Sequence, residues 1–329
     1  MIYWVPGGDE NHSAKKHLDY NRIEYTIWDE WVFENGKSVF VLPKNKFILI
    51  TSYCIFKHAD IERLVHDISV SDGTIYFCSQ TDNMVEYLKF KKYLVNLKNV
   101  YFHMDAPFDD LKEQRIVTTD FFTYSHVLNQ FVVYTNIDRN RDFLLTSFIG
   151  IKTERQKLVD SLEHKKLLKN YIGNISKEKN YDKWLGITCN PEGFREDVAI
   201  SWDLYASANY ELVPETCYDH GSFYTEKTIK PMVARIPFIV LSNKGFYESL
   251  HKTGFETFGN LIDESFSSEP DLDKRINGIT NTMLELDPRE FYRGSREICE
   301  HNYNNLCIQH YRSKQRFQDQ LHEFLSQKG

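Results

Sequence analysis

The stretch from Asn209 to Leu241 constrains this 329-residue chain more than any other. Tyr210-Glu211-Leu212-Val213 reads as a strand, and Pro214-Glu215-Thr216-Cys217-Tyr218-Asp219-His220-Gly221 as a polar loop. Ser222-Phe223-Tyr224-Thr225-Glu226-Lys227 leads into a short helix, and Pro237-Phe238-Ile239-Val240-Leu241 reads as a second strand. That second strand is apolar without interruption, the pattern of a parallel strand covered on both faces. Parallel strands joined by a helix cross over right-handedly, and sheets built this way bind ligands beyond the carboxyl ends of their strands. Glu215 and Thr225-Glu226-Lys227 fall at that edge.

Thr225 is placed to cap the helix, which puts Glu226 and Lys227 in its first turn. A lysine there opposes the helix dipole by roughly 0.3 to 1 kcal/mol. A helix N-terminus is itself an anion site, so a bound anion would reverse that penalty. The alternative is an ordinary surface lysine on an amphipathic helix. Pro231 removes one bond from the helix ladder and predicts a kink or an open carbonyl near Lys227.

A second cation recurs in the same context. Phe143 to Gly150 reads as a strand, and Thr153 with Gln156 forms a capping box that sets Arg155 in the first turn of the next helix. A guanidinium suits phosphate because two parallel N–H groups meet two oxygens. Pairing with Glu154 or Asp160 at the surface is the competing reading.

The first part of the chain alternates strands and helices, as a doubly wound α/β sheet does. Ile2 to Val5 runs into Gly7-Gly8 and the acidic loop Asp9-Glu10-Asn11-His12, and Lys46 to Thr51 is a buried strand. Ile61, Leu64, Val65 and Ile68 keep helical spacing; Thr74 to Cys78 and Val100 to His103 are further strands. Between them, a helix from Asn83 to Leu97 carries Lys89, Lys91 and Lys92 among Tyr87, Phe90 and Tyr93. Basic and aromatic side chains so mixed can hold nucleic acid, although Tyr87, Phe90, Leu94 and Leu97 form one stripe that suits a core face.

The chain turns polar at Asn136 to Asp142, which places a boundary near residue 140. Three parts are expected: residues 1–140, residues 141–300, and a C-terminal helix within 301–329 that packs back on the first part. Asn170 to Ala206 has no readable order. Asp271-Leu272-Asp273 has the form of a metal-binding Asp-x-Asp, but it opens a helical pattern, where acidic residues are routine; no metal site is assigned.

Composition adds bounds. The net charge of −7 is spread over both halves, so there is no global footprint for a polyanion. Cys54, Cys78, Cys189, Cys217, Cys299 and Cys307 lack paired spacing and read as free thiols of a reducing compartment. No apolar run reaches membrane-spanning length, and the N-terminus lacks a signal pattern, so a cytoplasmic protein is expected.

Tyr224-Thr225-Glu226-Lys227, after Glu215 and before Ile236-Pro237-Phe238-Ile239, resembles the donor-binding motif of α1,3-fucosyltransferases. That motif runs Phe-Glu-Asn, loop, Asp-Tyr-(Val/Ile)-Thr-Glu-Lys, helix, Val-Pro-Val. The stretch is similar, too, to exostosin-like glycosyltransferases of phages and large DNA viruses, with their Thr-Glu-Lys-Thr-Phe-Lys-Pro. Ser222 and Phe223 replace the family's Asp and Tyr, and Pro214-Glu215-Thr216 its Phe-Glu-Asn, leaving base and sugar open. The resemblance covers about Phe143 to Phe266 and implies a GT-B fold, two Rossmann-like domains facing a cleft.

It further implies that a nucleotide-sugar donor is the substrate, with no cofactor and no metal. Arg155 and Lys227 would hold the diphosphate and Glu226 the ribose, with Glu215 and Thr225 beside them; Asp263 and Glu264 could reach the sugar or serve as caps. An inverting transfer needs a base from the first part: Asp105 or Glu10 are preferred to Asp9, His12 and His103. The acceptor is a glycan, a protein, or a hydroxymethylated DNA base of a phage, with Lys89 and Lys92 on the DNA phosphates in the last case. A non-catalytic nucleotide-sugar-binding module is the alternative.

Overall fold

The computed structural model of the chain describes residues 1–5, 18–19, 22–44, 46–52, 61–79, 97, 100–104, 116–118, 137–145, 153–173, 200, 202–215 and 225–326. They belong to two compact units, one made of Met1–Phe122 with Tyr311–Gly329, the other of Thr123–His310. Both are mixed α/β units built on parallel sheets. The 119–136 stretch, which spans the unit division, lies outside the described residues.

In the first unit, β1 (Ile2–Val5), β2 (Thr26–Ile27), β5 (Ile48–Ser52), β6 (Thr74–Ser79), β7 (Val100–Met104) and β8 (Ile116–Thr118) form one sheet. Their order is β2-β1-β5-β6-β7-β8, and every neighbouring pair is parallel. Strand side chains alternate between faces, and the core divides accordingly. Val5, Leu49 and Ile75 pack with Leu64 and Ile68 of α1 (Ile61–Val70) on one face. Trp4, Ile48, Ile50 and Tyr76 pack with Leu321 and Phe324 on the other. Both faces are covered, which is why these strands read as apolar runs.

An antiparallel hairpin, β3 (Trp31–Glu34) and β4 (Lys37–Phe40), is set between β2 and β5 in the chain. Its turn residues Asn35 and Gly36 have φ of 51° and 78°, the paired positive values that match strand twist in a two-residue hairpin.

The second unit holds β9 (Arg141–Leu145), β10 (Tyr171–Gly173), β11 (Ala208–Pro214) and β12 (Phe238–Leu241), ordered β10-β9-β11-β12 and parallel throughout. Every residue of β11 and β12 is buried. Leu158, Val159 and Leu162 of α2 (Thr153–His164) belong to the core around them. So do Ile229, Met232 and Val233 of α4 (Glu226–Ala234), and Ile276, Ile279 and Met283 of α6 (Leu272–Glu285). Short helices α3 (Trp202–Ser207), α5 (Phe246–Lys252) and α7 (Pro288–Gly294) complete the layer. Gly173 has φ 146°, and a Cβ there would lie 1.9 Å from the Leu145 carbonyl oxygen on β9, so only glycine fits this pairing.

The polar boundary segment turns out to be structural. Arg139 donates Nη1 to the carbonyls of Tyr205 (2.8 Å) and Ala208, and its guanidinium stacks 4.0 Å from the Tyr292 ring centre. The C-terminal helix α8 runs Arg296–Ser326, so it starts ahead of the 301–329 stretch expected to hold it. Within the described residues no helix is long and apolar enough to cross a membrane.

Candidate functional site

The chain order reverses once in the second sheet. From β9 it moves out through α2 to β10, then returns past β9 to β11 and continues through α4 to β12. The crossover after β9 and the one after β11 therefore lead to opposite sides of the strand order, and such a switch point is where open α/β sheets leave a crevice. Arg155 stands in the first turn of the helix after β9, Glu215 directly follows β11, and Glu226 and Lys227 open the helix after β11. Their positions along the chain are distant. Their positions in the unit are adjacent.

Glu215 is the hub. It is fully buried, and its carboxylate accepts from Thr225 N (3.0 Å) and Thr228 Oγ1 (2.5 Å) on one oxygen and from Thr225 Oγ1 (2.7 Å) on the other. Its main-chain carbonyl accepts from Arg155 Nη2 at 3.2 Å. One residue thus ties the start of α4 to the start of α2. The resemblance groups Glu215 with donor contacts, whereas its carboxylate faces inward onto the two threonines and positions the helix. Thr225, equally buried, caps α4 as expected, its Oγ1 accepting from Lys227 N at 3.3 Å.

Lys227 Nζ donates to the neighbouring Glu226 carboxylate and lies 3.4 Å from Thr225 Oγ1. About a fifth of each of these two side chains is exposed, 22% and 18%, enough to meet a ligand. Burial by itself would lower the Lys227 pKa, but the Glu226 and Glu215 carboxylates outweigh it and hold the ammonium above its usual value; Arg155 pushes the other way. The Arg155 effect means the two cations sit within electrostatic reach of each other. For Glu226, burial favours the neutral acid, and Lys227 with Lys230 overcomes it, keeping the carboxyl below its usual value.

Lys230 escaped sequence reading. It is 7% exposed, one helical turn beyond Glu226, and a buried lysine cannot be told from a surface lysine by type alone. Ser242 and Asn243 were missed as well: both are buried just past β12, beside Glu215, whose N–H bonds the Leu241 carbonyl at 2.9 Å. Two polar residues ending an apolar strand were the available signal.

Other candidates fall elsewhere. Asp263 accepts from Ser265 N and Oγ at 2.9 Å, which lowers its pKa and fixes the chain as it enters the 3-10 turn Ser265–Ser268. Glu264 accepts from Thr257 Oγ1 and Phe258 N at 2.7 Å each; burial still raises its pKa. Asp271 caps α6 through Lys274 N, and Asp273 pairs with Lys157 at 2.7 Å. Cys299 and Cys307 are free, and burial pushes the Cys299 thiol up to about 12. Glu10, Asp9, His12, Asp105, Lys89 and Lys92 lie outside the described residues, and His103 lies on β7.

The Glu226–Lys227 pair sets a pH window. Lysine's folded value is raised, so its contribution is complete below the ordinary 10.5 and is lost only as pH climbs through the higher value. Glutamate's is lowered, so its contribution is complete above the ordinary 4.5 and is lost as pH falls through the lower value. The stability difference between the protein and Glu226→Gln, about 1 kcal/mol for a partly exposed pair, should therefore be flat from about pH 6 to 9. Below about pH 4 the difference should shrink, and urea melts without that loss would mean that the pair is not formed.

No protein-family model matches the chain, and no curated protein matches it. Among solved structures it is similar to one described as a crystal structure of alpha1,3-fucosyltransferase with GDP, at 11% identity and a TM-score of 0.41. The match covers 93% of this chain and 90% of that one.

Proposed function

We propose that this chain is a metal-independent glycosyltransferase of GT-B type that moves a sugar from a nucleotide-sugar donor to an acceptor hydroxyl. The observation that supports it is the meeting of Arg155, Lys227 and Glu226 at the carboxyl ends of β9 and β11, tied together through Glu215. Two cations from two strand ends, within electrostatic reach of each other beside a helix N-terminus, form a site that suits a diphosphate.

In this reading Arg155 and Lys227 neutralise the charge that grows on the leaving diphosphate as the sugar bond breaks, with preorganised donors in place of a divalent ion. Glu226 accepts hydrogen bonds from the ribose hydroxyls. The base for the acceptor hydroxyl comes from Asp105 or Glu10, and a DNA acceptor would engage Lys89 and Lys92. Melting the protein against a panel of nucleoside mono- and diphosphates and nucleotide sugars tests the donor. A ligand at a hundredfold over its Kd stabilises by about 2.7 kcal/mol, a rise of about 5 °C or more. A panel that leaves the melting temperature unmoved refutes the reading.

A further inference from the structure

Lys227, the cation best placed for a ligand, is already engaged by the carboxylate next to it in the chain. An anion that approaches competes for the ammonium with Glu226, an intramolecular partner one residue away that gives up no translational freedom to bind it. We propose that Glu226 gates Lys227, so that the site rejects bare inorganic phosphate and pyrophosphate and admits a diphosphate that carries a ribose. The inference rests on the nucleotide-sugar reading above and adds a selectivity that the reading does not require.

The argument is an exchange of partners. A diphosphate replaces the carboxylate at the ammonium, and two ribose hydroxyls replace the ammonium at the carboxylate. With both groups on one ligand, neither side chain is left with an uncompensated charge. With pyrophosphate alone, Glu226 loses its hydrogen-bonded cation in a half-buried setting and gains an anion nearby, and an uncompensated charge there is costly. A nucleoside alone leaves Lys227 in the same position.

Lys230 makes the exchange feasible. It acts on Glu226 from one turn further along α4. When Lys227 swings to the phosphate, Lys230 remains within electrostatic reach of the carboxylate, so the gate opens without stripping Glu226 of every positive neighbour. Arg155, anchored on the Glu215 carbonyl, waits on the phosphate side. Thr225 and Thr228 are fixed by Glu215, so α4 itself need not move and the opening is a side-chain event.

Titration calorimetry without divalent metal, using inorganic pyrophosphate as the probe, gives a result of unusual sign. Removing a negative side chain that reads as a ligand contact, in Glu226→Gln, should tighten pyrophosphate binding about tenfold or more. In the unchanged protein, the nucleoside diphosphate that gives the largest melting shift should bind at least about tenfold tighter than its 2′,3′-dideoxy analogue, and this preference should collapse in the variant. Pyrophosphate binding to the variant no more tightly than to the unchanged protein overturns the gate. So does an unchanged protein that holds the dideoxy analogue as well as the ribose form, a measurement that stands even if the variant fails to fold. Those two results, with nucleotide still bound, leave the donor reading in place; if no nucleoside diphosphate binds the unchanged protein, both fall.

Discussion

Glu215→Ala should unfold the second unit at markedly lower denaturant, with a loss of about 3 to 5 kcal/mol, as expected when three buried donors lose their acceptor and recover part of the cost. The carboxylate is inaccessible to water and meets three donors: Thr225 N, Thr225 Oγ1 and Thr228 Oγ1. Truncation leaves all three in a buried site, and an unsatisfied buried donor costs about 1 to 3 kcal/mol. The two hydroxyls can rotate towards helix carbonyls and recover part of this, which keeps the total below the simple sum. The main-chain N–H cannot rotate.

Glu215→Gln separates shape from charge. Its amide keeps one acceptor oxygen but turns an NH₂ towards a group that also donates, so its loss should be about half that of the alanine variant. The expected order in urea melts is therefore unchanged protein, glutamine variant, alanine variant. Nucleotide affinity should fall in the same order, because Glu215 is what brings the start of α4 to the start of α2. An alanine variant within about 1 kcal/mol of the unchanged protein would mean that the carboxylate is not the hub described above.

How much of this arrangement can be read without coordinates depends on whether one residue type has one physical use. Uninterrupted apolar strands do: β11 and β12 are buried on both faces and were legible at once. Thr225 is legible for the same reason, since a hydroxyl before a helix has a capping role available locally, and it takes it. Arg155 and Lys227 are legible as misplaced cations, and the structure brings them together at one edge.

Residues with two uses are opaque. Glu215 is acidic and sits in a loop by pattern, yet it is fully buried, because two threonines and a backbone N–H ten or more residues away satisfy it. Lys230 is buried on the same helix that makes Lys227 accessible. In α8 the apolar periodicity breaks at Asn302, a fully buried amide on the core face that accepts from Glu256 N at 2.8 Å and donates to Glu256 O at 2.9 Å, so the apolar pattern alone places the helix start later than Arg296. The hairpin around Asn35-Gly36 is a different case: the turn signal was present in the residues and only the flanking alternation, with Phe33 three-quarters exposed, concealed it.

Arg155→Met and Lys227→Met should each weaken nucleoside diphosphate binding about ten- to a hundredfold, the usual worth of a charge-assisted hydrogen bond. Turnover should fall further, by about 10²- to 10³-fold for either change, because the leaving diphosphate carries more charge in the transition state than in the bound donor. The informative quantity is the double variant. If both cations grip one diphosphate, the second substitution removes less than the first, and the coupling should be about 0.5 to 3 kcal/mol.

Part of that coupling is present before any ligand arrives, since Arg155 repels the ammonium that Glu226 and Glu215 still hold above its ordinary value, so each cation is relieved when the other is removed. The unliganded contribution is separable: it appears in urea melts of the four proteins, and the ligand-dependent remainder is what binding adds. A nucleoside without phosphates should lose affinity in none of the variants, and the proteins that lack Lys227, whose Glu226 is no longer engaged, should bind it at least as tightly as the unchanged protein. Strictly additive losses, or an equal effect on the nucleoside, would place the two side chains at separate tasks and remove the diphosphate from between them.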